Sequence, residues 1–255
     1  MPRFPLFALA LALLSLVACG GGEEPAGQRA TSSGTMEEVP PPPLPQGGEP
    51  VELDPADFVA GIDNPYWPMA PGSRWVYRET DGEGNRQRVV VTVTDRSKTI
   101  LGIGATVVHD VVSEDGEVIE DTYDWYAQDR WGNVWYMGED TKEFEDGKVV
   151  STEGSWEAGV DGAEAGILVP GRPEVGTAYR QEYYAGEAED EGKILSLDEQ
   201  ADVPFGSFDS VLMTEDTTPL EPDVLEHKYY AQGVGPVLAL DVSGGGREEL
   251  LTFQP

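Results

Sequence analysis

Three residue types in this chain could carry chemistry: one cysteine, two histidines and a large excess of carboxylates. Cys19 is the sole cysteine, so the chain forms neither an internal disulfide nor a cysteine-based zinc site. His109 and His227 each stand beside an acid, Asp110 and Glu226, and would suit acid–base work if the fold brought the pairs together. The 48 carboxylates are too many to single out the pair that glycoside hydrolysis needs at a fixed separation. Asp121, Asp124 and Asp129 lie in the densest acidic stretch, Glu114 to Asp129, and offer the hard oxygen ligands calcium prefers. They match no EF-hand loop, and in a strand Asp121 and Asp124 point to opposite faces. There is no P-loop, no HExxH and no GxSxG. Gly102-Ile103-Gly104 begins like a dinucleotide fingerprint but lacks the third glycine and a following helix. The residues assign no catalytic group, no metal and no cofactor.

The aromatic residues are the remaining lead. Rings at the mouth of a β-barrel can hold sugars or apolar ligands, and Trp67, Trp75, Tyr77, Trp125 and Trp135 are the candidate ligand-binding residues. The competing reading of the same rings is core filling.

The elements that must position them are strands. Asp63-Asn64-Pro65-Tyr66-Trp67-Pro68-Met69-Ala70-Pro71-Gly72 carries three prolines in seven residues, which excludes a helix. Trp75 and Tyr77, two apart, share one face of a strand. Asp81 to Asn85 reads as a hairpin loop, and Val89 to Thr94 as its β-branched return. Thr99 to Val112 reads as a strand with a bend at Gly102 and Gly104. Turns at Glu114-Asp115-Gly116, Asp129 to Asn133 and Glu145-Asp146-Gly147 separate further strands. Gly154 to Gly166 reads as a loop with one short helical turn. No stretch after Val51 keeps a 3.6-residue apolar period for more than two turns, so residues 51–255 are expected to form one all-β domain.

Leu6 to Gly20 has the layout of an export signal: Arg3, an apolar run too short to span a bilayer, then small residues. Leu16-Val17-Ala18-Cys19 resembles the bacterial lipobox, which implies removal of residues 1–18 and acylation of Cys19. That resemblance implies a membrane partner through the lipid anchor. Residues 19–50, rich in Gly, Pro and Glu, read as a disordered tether with little to bury.

The net charge is −32. From Val51 onward 43 acidic residues face 14 basic ones. Nucleic acid is excluded as a partner, because its binding requires Lys and Arg to neutralise phosphates. An anionic membrane surface would repel the folded body as well.

Three motifs resemble the β-rich bacterial envelope proteins labelled TapB-like. They are Tyr66-Trp67-Pro68-Met69-Ala70-Pro71-Gly72-Ser73-Arg74-Trp75-Val76-Tyr77, Val203-Pro204-Phe205-Gly206-Ser207-Phe208, and Tyr229-Tyr230-Ala231-Gln232-Gly233-Val234-Gly235. The resemblance implies a curved antiparallel sheet or open barrel and brings no catalytic residues. A related element, two aromatics followed by a small residue, recurs at Trp125-Tyr126-Ala127, Tyr183-Tyr184-Ala185 and Tyr229-Tyr230-Ala231, as if marking equivalent strand ends of one sheet. The function expected is that of a lipid-anchored extracytoplasmic module, not an enzyme, that binds a ligand or envelope partner on its concave side. The alternative is an extracytoplasmic hydrolase using a carboxylate pair.

Overall fold

The computed structural model describes residues 40–255. The export signal, Cys19 and the tether as far as residue 39 lie outside the described residues.

Alternating β-branched and aromatic residues between Gly, Asp and Asn turns fold as strands. These are β1 Phe58–Val59, β2 Arg74–Thr80, β3 Arg86–Ile100, β4 Ile103–Glu114, β5 Glu117–Asp129, β6 Val134–Glu145, β7 Lys148–Ser151 and β8 Trp156–Glu157. They continue as β9 Glu164–Val169, β10 Ala178–Arg180, β11 Glu182–Tyr183, β12 Glu191–Val203, β13 Gly206–Thr217, β14 Leu225–Ala231, β15 Gly235–Asp241 and β16 Arg247–Gln254. All belong to one 16-stranded sheet, and every strand pairing is antiparallel. Among the described residues the helical content is one 3₁₀ turn, Pro55–Asp57.

The sheet curls into a nearly closed barrel, and one short segment joins its two edges. Residues 178–180 pair with β12, whereas 182–183 pair with β9, at the opposite end of the strand order. Two features fasten the seam. Gly166 has no side chain because a Cβ there would land on the Gln181 backbone. The buried Arg180 guanidinium donates to the carbonyls of Ala165 at 2.8 Å and of Gly47 and Glu49 at 2.7 Å each.

Those last contacts show that the body begins earlier than composition indicates. Residues 40–50, expected to be tether, already lie against the barrel: Pro45 is buried, its carbonyl accepts from Arg180 N at 2.8 Å, and Gln46 Nε2 donates to the Ala178 carbonyl at 2.6 Å. A single arginine supplies the donors for backbone that has almost no side chains to bury.

Two further expectations are corrected. Thr99 to Val112 is no bent strand: Leu101 and Gly102, at φ +51° and +80°, form a two-residue hairpin turn between β3 and β4. Gly154 to Gly166 contains no helical turn; Trp156–Glu157 pairs with β6 instead. Asp115-Gly116 and Asp146-Gly147 do form the expected positive-φ hairpin turns.

The first proline-rich motif plugs one end of the barrel, where prolines that forbid a helix fix a compact irregular chain. Ile62, Tyr66 and Met69 are buried there, and Asn64 donates to the carbonyls of Gly132 at 2.8 Å and Pro170 at 3.3 Å. The third motif meets it: Gly233 N donates to the Pro65 carbonyl at 2.7 Å, Gln232 Nε2 to the Tyr66 hydroxyl at 3.0 Å, and Trp75 Nε1 to the Val234 carbonyl at 2.7 Å. Two of the three motifs that carry the TapB-like resemblance therefore build the closed end.

Candidate functional site

Side chains two apart share a face, so each strand can be followed along the barrel interior. From the plug outward β2 presents Trp75, Tyr77 and Glu79, and β5 presents Tyr126, Asp124, Thr122 and Glu120. On β14 the series is Tyr230, Lys228 and Glu226. The interior passes from rings to charged groups along every one of these strands, acids on β2 and β5 and a lysine before the acid on β14.

The space they enclose has two connected parts. An inner cavity of about 200 Å³ is floored by Trp67, Tyr77, Tyr126, Tyr230 and Leu238. Trp67 rises from the plug and packs 5.7 Å from Tyr126 and 6.1 Å from Tyr230, centroid to centroid. Above it lies a chamber of about 1300 Å³, walled by Asp and Glu from the strands and the turn loops. Glu79, Lys228 and Glu248 line both parts.

The acids of this interior face one another. Glu79 is directly opposite Glu248, Asp216 opposite Glu226, Asp124 opposite Glu139, and Glu120 opposite Glu143. Like charges so placed destabilise a sheet, and the protein answers by retaining protons. Burial first, and neighbouring acids second, push Glu79 up to about 7 and Glu248 up to about 8. Burial likewise pushes Glu120 and Glu226 up to about 7.

Asp124 and Glu139 are locked through a phenol. The Tyr136 hydroxyl lies 2.8 Å from Asp124 Oδ1 and 3.0 Å from Glu139 Oε2. One hydroxyl has one hydrogen, so the second contact requires a proton on a carboxyl. Burial first raises both carboxyls, Asp124 to about 6 and Glu139 well above the carboxylate range, so the pair holds a proton between them.

Lys228 is the cation inside. Its ammonium is 3.0 Å from Asp216 and 3.5 Å from Glu226. Burial opposes its charge, but Asp216 and Glu226 more than offset that and hold it well above the usual lysine range. Two solvent-shielded oxygens of the lining, Asp110 Oδ1 and Asp216 Oδ1, make no hydrogen bond.

Of the five aromatic candidates, Trp67 and Tyr77 line the inner cavity. The other three lie outside that lining. Trp75 is fully buried, stacked 5.1 Å from Phe253. Trp125 carries Lys98 Nζ over its ring at 3.1 Å. Trp135 donates to Asp129 Oδ2 at 2.9 Å and packs 6.2 Å from Phe58. The recurring aromatic pairs contribute Tyr126 and Tyr230, which single-residue inspection of the tryptophans passes over.

The histidines do not meet. His109 on β4 bonds Asp121 Oδ2 at 3.1 Å and stacks 4.4 Å from Tyr123, whereas His227 lies on the non-adjacent β14. Asp121 and Asp124 do point to opposite faces, one to His109 and one to Tyr136. Among the described residues no group of three or more His, Cys, Asp or Glu is arranged to hold a metal ion.

The fold is similar to two solved structures. One is described as an exported protein with a YmcC-like fold from Bacteroides fragilis, at 13% identity and TM-score 0.45, covering 74% of this chain and 99% of that one. The other is described as a lipoprotein from Parabacteroides distasonis, at 12% identity and TM-score 0.41, covering 74% and 98% respectively. No protein-family model and no curated protein matches the chain.

Proposed function

We propose that this chain is an extracytoplasmic protein, anchored by lipid at Cys19, whose barrel binds a small ligand without turning it over. The Leu16-Val17-Ala18-Cys19 sequence behind an apolar leader supports the anchor. Labelled fatty acid should enter the chain expressed in bacteria and be absent from Cys19→Ser; equal label in both refutes the anchor.

One observation carries the binding reading: a ring-floored cavity closed at one end by a plug and open at the other. The hydrolase reading has a specific pair to name, Asp124 and Glu139. The Tyr136 hydroxyl lies between them, however, where the attacking water or sugar carbon would have to pass. That occupied gap favours binding. Native mass spectrometry of the full chain, extracted from its membrane in non-ionic detergent, tests the reading. A small-molecule adduct is expected, and Val112→Trp, which fills the cavity wall, should lose it. An adduct unchanged by Val112→Trp, or none on the folded wild type, overturns it.

A further inference from the structure

We infer that the ligand is an organic cation with an apolar body, its hydrocarbon on the ring floor and its positive charge among the facing carboxylates above. The inference rests on the proposed binding role of the barrel and names the class of ligand.

The first support is the order of the interior. Rings come first and charged groups second along the strands: acids on β2 and β5, and Lys228 followed by Glu226 on β14. An elongated guest therefore meets an apolar end and then an end where carboxylates outnumber the one lysine. A neutral apolar molecule would satisfy the floor but leave the acidic wall facing itself. An anion would meet a wall in which carboxylates far outnumber the two cations, Lys228 and Arg247.

The second support is hydrogen-bonding demand. Asp216 is 6% exposed, lines the outer chamber, and its Oδ1 makes no hydrogen bond. Asp110, half-buried, lines the inner cavity, and its shielded Oδ1 makes no hydrogen bond either. Buried acceptors without donors are uncommon and costly in folded proteins. An ammonium or guanidinium brings N–H donors to these carboxyls once a side-chain rotation turns the shielded oxygen toward the cavity, and aromatic faces below attract the same charge.

The third support separates an organic from an inorganic cation. Calcium takes six to eight oxygens at once. Here the acids are spread as opposed pairs over successive strand pairings, with no group of three or more among the described residues disposed around one point. The rings and aliphatic side chains between them offer a metal ion nothing.

Proton exchange follows from the same arrangement. The groups facing the guest are Glu79 on β2 and Glu248 on β16, Asp110 on β4, Glu120 and Asp124 on β5, and Glu139 and Glu143 on β6. Asp216 on β13, Glu226 and Lys228 on β14, Glu182 on β11, Asp190 beyond it and Arg247 at the rim continue the wall. Asp81, Glu83, Glu114, Glu145, Glu187, Glu221, Asp223 and Asp241, at strand ends and in the turn loops, complete it. Glu79 and Glu248, pushed up to about 7 and about 8, still share protons near neutrality. When the cation enters, a carboxyl O–H bond breaks, the proton passes to buffer, and the carboxylate keeps the cation; charge balances.

Titration calorimetry on the full chain in non-ionic detergent tests this, with n-octylammonium against n-octanol, octanoate and calcium. Octylammonium should bind saturably and about tenfold or more tighter than octanol, the gain that charge-assisted hydrogen bonds provide. Its heat at pH 6.5 should differ between buffers of different ionisation enthalpy in the sense of proton release. Glu79→Gln with Glu248→Gln, with its fold checked by circular dichroism, should lose about tenfold for octylammonium and keep octanol binding. Octanol binding as tightly as octylammonium, tighter octanoate, or a calcium-only response overturns the cationic ligand while leaving a binding barrel. Failure of every probe, in wild type and in Val112→Trp alike, overturns both.

Discussion

The two faces of one sheet treat the same residue types in opposite ways. Glu248 and Glu249 are neighbours on β16. Glu249 turns outward and is held by Arg78 at 2.7 Å and Arg247 at 2.8 Å, whereas Glu248 turns inward and faces Glu79. On β5, Asp121 reaches His109 outside, while Asp124 faces Glu139 inside. The outer face matches acids with bases, and the inner face sets acid against acid. A well-solvated acidic surface explains the outward carboxylates but not those that face one another inside. The inner arrangement carries a stability cost, which natural sheets accept where a site requires it.

The largest way to break this contrast is to remove the cation that tempers the inner face. Lys228→Met leaves Asp216 and Glu226 opposed without it, and breaking a buried pair costs about 3–5 kcal/mol. The loss should be greatest at pH 8. Glu226, pushed up by burial to about 7, binds a proton in the folded state at pH 5 where the unfolded chain largely does not. Native protons exceed unfolded ones between about pH 4.5 and 7, so stability falls as pH rises through that window. Urea unfolding should therefore show a clearly smaller loss at pH 5 than at pH 8. Equal losses would mean that Lys228 acts through packing and that the inner acids are not coupled to it.

How far the sequence foretells this differs between the fold and the site. Strand period and turn residues are local, and Asp115-Gly116 or Asp146-Gly147 show their hairpins directly. The seam at Arg180 is not local: its partners Gly47, Glu49 and Ala165 are distant in sequence, and nothing near Arg180 marks it as a closure. Trp67 and Tyr77 were visible as rings, but separating them from Trp75, Trp125 and Trp135 needs the barrel's curvature, which decides which rings meet the cavity. The acids hid in their own abundance. A usable signal was present: Tyr77 with Glu79, Tyr126 with Asp124, and Tyr230 with Lys228 and Glu226 keep a period of two from ring to charge. That period chooses among 48 carboxylates where composition cannot.

The finest test compares Glu248→Gln with Glu249→Gln, adjacent residues of equal charge. Glu248 retains its proton up to about pH 8 because of burial and the facing Glu79, and an unfolded glutamate gives it up near 4.5. The wild type therefore loses stability across that interval, and Gln, which never ionises, does not. Glu248→Gln should match the wild type near pH 5 and be clearly more stable by pH 9, by at least the ~1 kcal/mol of a like-charge cross-strand pair. Glu249→Gln removes two outer ion pairs whose arginines are 35% and 44% exposed. Such pairs contribute about 1 kcal/mol or less. The variant should thus lose a little stability, with no trend between pH 6 and 9, and 1 M salt should narrow the difference because screening already weakens the pair in the parent. Opposite signs at pH 9 from neighbouring residues would sharpen the contrast between the faces. The same sign for both would show that the inward acids are solvated like the outward ones, and the distinction between the faces would fail.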